Sequence, residues 1–272
     1  MKIFETISFH IVKPCNMSCK FCYATFEDFT VNKQLSYTEI VIILDKLREA
    51  GVEKVTFAGG EPMLYKKLDL IITYAKYIGF TTSIITNGSF LTSRWLSSMK
   101  GKLDWIGISV DSLNSETNKK IGRVSNREEL DYFALVDLIN SYQYKLKINT
   151  VVNIHNQKED LADFINYSRA SRWKVFDTLP VKGQNDKQFE EIRSTEFDQF
   201  VARNNHFSMV VETNDLMTGS YLLVDPLGRL FENTQGEHTY SSSLINNSVE
   251  DCLSQITLRE SKFIERGGIY KW

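Results

Sequence analysis

The chain has 272 residues, 42% of them hydrophobic and 24% charged, with a net charge of −2. That length and composition suit one large α/β domain, or one barrel with an appended segment, around an ordinary core that needs no staples. The near-neutral balance excludes a global basic field for nucleic acid or anionic lipid, so any anion site has to be assembled locally from a few Lys and Arg.

The opening stretch MKIFETISFHIVK has no long apolar run and no small-residue cleavage site, and no later run reaches the roughly 18 apolar residues of a membrane span. A soluble, cytoplasmic protein is expected. Residues 8–12 read as a strand, followed by a cysteine-bearing loop. Ser36 then caps a helix, with Glu39 three residues later to complete a capping box. Ile40, Ile43, Leu44 and Leu47 recur on one face of that helix, and Gly51 stands at its stop. A strand at 54–57 ends in the loop Ala58-Gly59-Gly60-Glu61-Pro62. A helix near 68–78 leads to a strand at 82–85 that ends in Thr86-Asn87-Gly88-Ser89. A short helix at 92–99 precedes a strand at 105–110. A longer helix at 127–142 precedes a strand at 145–153, and a helix near 158–170 precedes a strand at 173–179.

Six strands separated by helices predict a parallel sheet with right-handed crossovers, and suit a partial or full barrel better than a doubly wound sheet. The polar loops after the strands then gather at one mouth, where such barrels build their sites. Beyond about residue 185 the alternation stops. A polar helix at 194–204, short strands at 221–224 and 229–231, and Arg266-Gly267-Gly268 form an extension packed on the barrel rather than an independent domain.

Of four cysteines, Cys15, Cys19 and Cys22 fall within eight residues at C-x3-C-x2-C spacing. A disulfide framework does not fit three clustered thiols in a reducing compartment. Thiolates this close can converge on one soft metal centre. Three of them leave one iron of a four-iron cluster without a protein ligand, free to chelate a cofactor or substrate. A structural zinc site wants a fourth ligand, and the nearest histidine is His10 on the preceding strand. Cys252 stands alone and reads as a buried helix thiol. His155, His206 and His238 show no ligand spacing and read as structural or surface residues.

Three strands carry polar pairs at i, i+2, hence on one face each: Lys54 with Thr56, Lys147 with Asn149, and Arg172 with Lys174. If those faces point into the barrel, several cations meet in one cavity and repel unless an anion neutralises them. The alternative is a set of solvated strand-end charges. Tyr221 reads as a strand tyrosine in packing, or as a phenol able to give up a proton or hydrogen atom at a water-poor site.

The cysteine triplet resembles the signature of the radical S-adenosylmethionine superfamily. The resemblance implies that Cys15, Cys19 and Cys22 hold a [4Fe-4S] cluster and that S-adenosylmethionine binds at its open iron. Phe21, before the third cysteine, is then placed by the adenine, and Tyr23 and Asn87 are further cofactor neighbours. Gly59-Gly60-Glu61-Pro62 resembles the family's GGEP motif: a glycine turn admits close backbone approach, and Glu61 can accept from the methionine ammonium. Ser109 and Arg123 resemble the pair that holds the methionine carboxylate. The fold implied is a partial (β/α)6 TIM-like barrel of the radical SAM type, residues 1–184, with a C-terminal α+β extension, 185–272, that closes the substrate site.

The stretches VEKVTFAGGEP, LKINTVVN, RWKVF and RGGIYKW look like the viperin family, a likeness running from about Ser8 to Trp272. It implies dehydration of a ribonucleoside triphosphate to its 3′-deoxy-3′,4′-didehydro form. Lys54, Thr56, Lys147, Asn149, Arg172, Lys174 and Arg266 become triphosphate or nucleotide contacts, and Tyr221 a catalytic residue near the sugar. Ser8 stands where animal members have an asparagine near the base, so CTP, UTP and GTP all stay open. The amphipathic membrane helix of animal members has no counterpart here. A monomer served by an electron donor such as flavodoxin or ferredoxin is expected, with no nucleic-acid or membrane partner. The rival readings are a radical enzyme for a peptide or tRNA base, and a non-enzymatic iron–sulfur or zinc sensor.

Overall fold

The structure, a computed structural model, describes residues 5–27, 34–125, 129–188, 192–205, 208–268 and 270. Strand β1 (Thr6–His10) is followed by helix α1 (Tyr37–Glu49), whose capping box between Ser36 and Glu39 forms as expected. The alternation continues through β2 (Lys54–Ala58), α2 (Leu68–Tyr77), β3 (Thr81–Thr86), α3 (Ser93–Met99) and β4 (Trp105–Ser109). Two helices then follow, α4 (Ser115–Ile121) and α5 (Tyr132–Ser141). Only the second was expected. It begins later than residue 127, which lies outside the described residues, because Asp131 caps it through the backbone N–H of Ala134. The series ends with β5 (Lys145–Val152), α6 (Ala162–Ser168) and β6 (Arg172–Asp177).

The sheet does not stop there. After α7 (Ser194–Arg203), strand β7 (Met209–Glu212) adds in parallel beside β6, an element without a counterpart in the sequence reading. The chain then crosses to the opposite side. Strand β8 (Leu223–Val224) pairs in parallel with β1, and β9 (Arg229–Glu232) and β10 (Thr239–Ser243) extend it antiparallel. The order β10-β9-β8-β1-β2-β3-β4-β5-β6-β7 is an open, curved sheet, a partial barrel rather than a closed one.

Register sorts the side chains into two layers. In parallel pairs, residues directly opposite share a face. Ile7, Phe9, Val55, Phe57, Ile84, Ile106, Ile108, Ile148 and Val175 are buried in the core with Ile40, Ile43 and Leu44 of α1. The alternate residues form rows on the concave face: Ser8, Thr56, Ser83, Trp105 and Lys145 in one, and Ser109 beside Asn149 and Lys174 in another. The apolar alternation therefore commits the polar residues to the barrel interior.

Candidate active site

Two sites lie at opposite ends of the same strands. At the C-terminal ends, the cysteine loop leaves β1 and is gripped from two sides. The Gly60 N–H bonds Val12 O at 2.7 Å and the Glu61 N–H bonds Pro14 O at 2.9 Å. A Cβ on Gly60 would come within 2.2 Å of Pro14 O, so this glycine exists to let the two loops touch. The glycine turn thus has a packing role between the two loops. From the other side, the Ser18 N–H bonds Gly122 O at 3.1 Å and the Lys20 N–H bonds Ile121 O at 3.0 Å.

Within the loop, Cys15 is exposed and Cys19 and Cys22 are partly buried. The Met17 N–H points at Cys15 Sγ (3.4 Å), with Asn87 Nδ2 at 4.0 Å. Burial raises all three thiols, Cys19 up to about 12, while Arg123 works in the opposite direction on each. Such thiols ionise readily only against a strongly positive centre, so the donor set fits a metal group. Among the described residues no three His, Cys, Asp or Glu side chains gather tightly enough to grip a single ion. Thiolates bound to separate corners of a cluster need no such crowding, which favours a cluster over a lone zinc.

Glu61 is buried and already engaged: its carboxylate accepts from Thr86 Oγ1 (2.7 Å), Asn87 N (2.8 Å) and Met63 N (3.1 Å). A carboxylate offers about four lone-pair sites, so one more donor fits. Asn87 Nδ2 also donates to Asn16 Oδ1 at 2.8 Å, and Asn16 reaches Ser89 and Ser125. Phe21 packs under the Arg123 guanidinium, 5.7 Å from its ring centre. Arg123 meets Asp111 rather than Ser109. Burial opposes its charge, yet Asp111 outweighs that and holds the guanidinium above its ordinary range. Ser109 lies across the strand pair from Asn149. Tyr23 turns toward His10, its hydroxyl 3.4 Å from Nε2, at the edge of an aromatic cluster with Phe26, Phe231 and His238. Asn185 ties the segment down by donating to Phe21 O at 3.0 Å, as Gln184 does by accepting from Phe26 N at 2.6 Å.

The second site is a cleft of about 490 Å³, its mouth included. Its lining includes Lys54, Thr56, Lys147, Arg172, Lys174, Tyr221 and Arg266, so all the expected substrate residues but Asn149 meet in one cavity. Asn149 stands one step toward the cysteine end, its buried Oδ1 without a hydrogen-bond donor among the described residues. The cations stand at strand beginnings and face the barrel interior, the arrangement in which the paired strand positions bring them into one cavity. Burial, reinforced by Arg172 and Lys174, lowers Lys54 to about 7. Burial and the neighbouring Lys174, Lys54 and Arg172 push Lys147 well below its ordinary range. Lys54 donates to Tyr270 OH at 2.5 Å, and Arg172 stacks on the Tyr270 ring at 3.9 Å while donating to Gly267 O at 2.7 Å. Arg266 stacks on Tyr221 at 3.5 Å and donates to Ser220 O at 2.9 Å.

Three contributors escaped the sequence reading. Asp111, two residues past Ser109, had a signal in its position at a strand end. Tyr270 lay in the quoted terminal motif. Glu212, which pairs with Lys174 and Tyr221, had none, since its strand was not recognised. Of the histidines, His155 is exposed, His238 belongs to the aromatic cluster, and His206 lies outside the described residues. Cys252 is buried in a short helix as expected. No helix among the described residues is long and apolar enough to cross a membrane.

Residues 11–195 match the model of the Radical SAM superfamily. SuiB of Streptococcus suis, bound to S-adenosylmethionine, superposes with a TM-score of 0.71 over 98% of this chain and 68% of that one, at 15% identity. For anSMEcpe with bound AdoMet the TM-score is 0.67 over 92% and 80%, at 14% identity. At such identities the likeness is one of fold, and the fold is that of radical SAM proteins. Sequence relatives narrow it. The chain is 42% identical to an S-adenosylmethionine-dependent nucleotide dehydratase of Flammeovirga pacifica, over 99% of this chain and 97% of that protein. It is 43% identical to a protein of the same description in Lacinutrix mariniflava, of whose length it spans 58%. It is 32% identical to S-adenosylmethionine-dependent nucleotide dehydratase RSAD2 of Oncorhynchus mykiss, covering 80% of it. The chain belongs to the radical SAM superfamily and, within it, to the family of S-adenosylmethionine-dependent nucleotide dehydratases.

Proposed function

We propose that this chain dehydrates a ribonucleoside triphosphate to the 3′-deoxy-3′,4′-didehydro nucleotide. The observation that carries the reading is the gathering of Lys54, Lys147, Arg172, Lys174 and Arg266 on one interior cleft. Like charges confined together are costly and become favourable only against a multiply charged anion. A triphosphate supplies that charge, and its sugar then extends along the strands toward the cysteine loop.

Cys15, Cys19 and Cys22 hold the [4Fe-4S] cluster, and Phe21, Tyr23, Gly59, Gly60, Glu61, Asn87, Ser109 and Arg123 surround S-adenosylmethionine. When bound, this pair supplies the one-electron chemistry that removes the ribose 4′ hydrogen. The protein's own part is placement. Glu61 accepts from the cofactor's ammonium, Arg123 meets its carboxylate, and the cationic cleft fixes the triphosphate so that the ribose cannot drift. Thr56 and Asn149 offer hydrogen bonds along the way, and Tyr221 faces the sugar from the cleft wall. The segment beyond residue 185 closes the substrate site through Tyr221, Arg266 and Tyr270. The enzyme works as a cytoplasmic monomer supplied by a reductant of the flavodoxin or ferredoxin class.

The test is anaerobic incubation of reconstituted protein with S-adenosylmethionine, dithionite and each of CTP, UTP and GTP, read by mass spectrometry. One triphosphate should raise 5′-deoxyadenosine release and appear with the mass of one water removed. If none does either, the assignment fails.

A further inference from the structure

Glu212 ends β7 and is fully buried. Its oxygens are divided. One meets the Lys174 ammonium and lies 3.7 Å from Arg266 Nη1; the other accepts the Tyr221 hydroxyl. Lys174 Nζ in turn donates to the Tyr221 oxygen at 2.9 Å. The three groups close a ring: ammonium to carboxylate, ammonium to phenol, phenol to carboxylate. Lys174 and Tyr221 line the cleft, and Glu212 stands behind them.

A cleft meant only to grip phosphate gains nothing from a carboxylate that cancels one of its cations. What the carboxylate does is visible in two lysines on neighbouring strands. Burial lowers both, and each faces other cations. Lys147, on which Glu212 acts less than burial and the neighbouring cations do, falls well below its ordinary range. Lys174, bonded to Glu212, falls only to about 8. Glu212 thus keeps one ammonium charged at neutral pH and orients the phenol that shares it.

We propose that Glu212 is the positioning residue of a proton relay in which Lys174 supplies, and Tyr221 delivers, the proton that departs with the nucleotide's leaving hydroxyl. The relay rests on the dehydratase reading and assigns part of its chemistry. The sugar C–O bond breaks with its electron pair on oxygen. That oxygen takes the Tyr221 proton and leaves as water. Tyr221 regains a proton from Lys174 Nζ, and Lys174, left neutral beside Glu212, is recharged from solvent. The hydrogen atom removed from the sugar beforehand goes to the cofactor, and the electron that completes the double bond comes from the one-electron reductant. Neither passes through Glu212.

The test uses reconstituted wild type, Glu212→Gln, Glu212→Asp and Tyr221→Phe with the accepted triphosphate deuterated at C4′. Three quantities are read: deuterium transferred into 5′-deoxyadenosine, dehydrated nucleotide formed, and triphosphate affinity by calorimetry. In Glu212→Gln and Tyr221→Phe, label transfer at saturating triphosphate should stay within about threefold of wild type, as should affinity in Tyr221→Phe. Product per labelled 5′-deoxyadenosine should fall about 100-fold, with partial recovery in Glu212→Asp. Parallel loss of label transfer and product, or loss of affinity in Tyr221→Phe, overturns the relay. If Glu212→Gln does not fold, Tyr221→Phe decides on the same ratio, together with a solvent deuterium effect on that ratio in wild type; no effect counts against the relay. Wild type that transfers label from no triphosphate overturns the nucleotide reading, and the relay with it.

Discussion

Gly122 and Ser18 touch backbone to backbone: a Cβ on Gly122 would fall 2.1 Å from the Ser18 carbonyl oxygen. Gly122 also holds φ +81°, the left-handed conformation that closes α4. The turn that ends one helix is therefore also a wall of the cysteine loop. Gly122→Ala should cost about 2–3 kcal/mol from strain and clash together. Because the strain falls on the thiol loop, iron retained after reconstitution should drop further than the melting temperature suggests. Iron content and calorimetric melting, measured on the same preparation, check this.

Lys147→Met should separate stability from function. Removing a buried cation that faces Lys174, Lys54 and Arg172 relieves repulsion and desolvation, so the substrate-free protein should gain about 1–2 kcal/mol. Triphosphate affinity should fall by about tenfold or more. Urea unfolding and calorimetric titration are the measurements. A destabilised variant would argue that Lys147 has a structural partner.

Asp111→Asn should act on Arg123. It removes the countercharge of a buried guanidinium, and breaking such a pair costs about 3–5 kcal/mol. Asp111 also accepts from Val151 N at 2.8 Å, so a carbonyl at that position preserves one bond and the strand register. S-adenosylmethionine affinity should fall, because Arg123 loses the group that aims it. Equilibrium unfolding and cofactor binding test the two effects separately.

The pH dependence of the empty protein follows from the lysines. Burial lowers Lys54 to about 7 and Lys174 to about 8, against about 10.4 in an unfolded chain. In that interval the unfolded chain binds more protons than the native one, so native stability rises with pH. From about pH 7 to about pH 8.5 the melting temperature of the empty protein should increase. Triphosphate binding runs the other way. It needs both ammoniums charged, so affinity should weaken over the same interval and binding at the upper end should take up protons. Thermal scans with and without nucleotide show both slopes. Equal slopes in the two series would contradict the cleft as the binding site.

Much of this was legible in the residues. Ser36 and Glu39 announce the start of α1, and the period-two pairs Lys54/Thr56, Lys147/Asn149 and Arg172/Lys174 announce shared strand faces. Periodicity tells which residues share a face but not how high they stand in the barrel. The pairs pointed the cations into one interior cavity, and the structure adds that they stand at the strand beginnings. Helix α4, only seven residues long, hid between an Asn114 cap and Gly122. Strand β7 is four residues long, and Glu212 acquires its meaning from Lys174 and Tyr221, contacts that no local pattern encodes.

Strand β2 begins at Lys54 and hands over to Gly59 at its far end. Five residues at about 3.3 Å each make a span of about 17 Å. If the cleft takes the phosphate tail as proposed, the sheet is a measuring rod, with one mark for that tail and the other for the sulfur-bearing loop. Hydrogen-bonded neighbours hold every rung, so the gauge length cannot stretch to suit a guest. A nucleotide with one phosphate too few would sit with its sugar off the mark, and selection among polyphosphates becomes a matter of dimension as much as of charge.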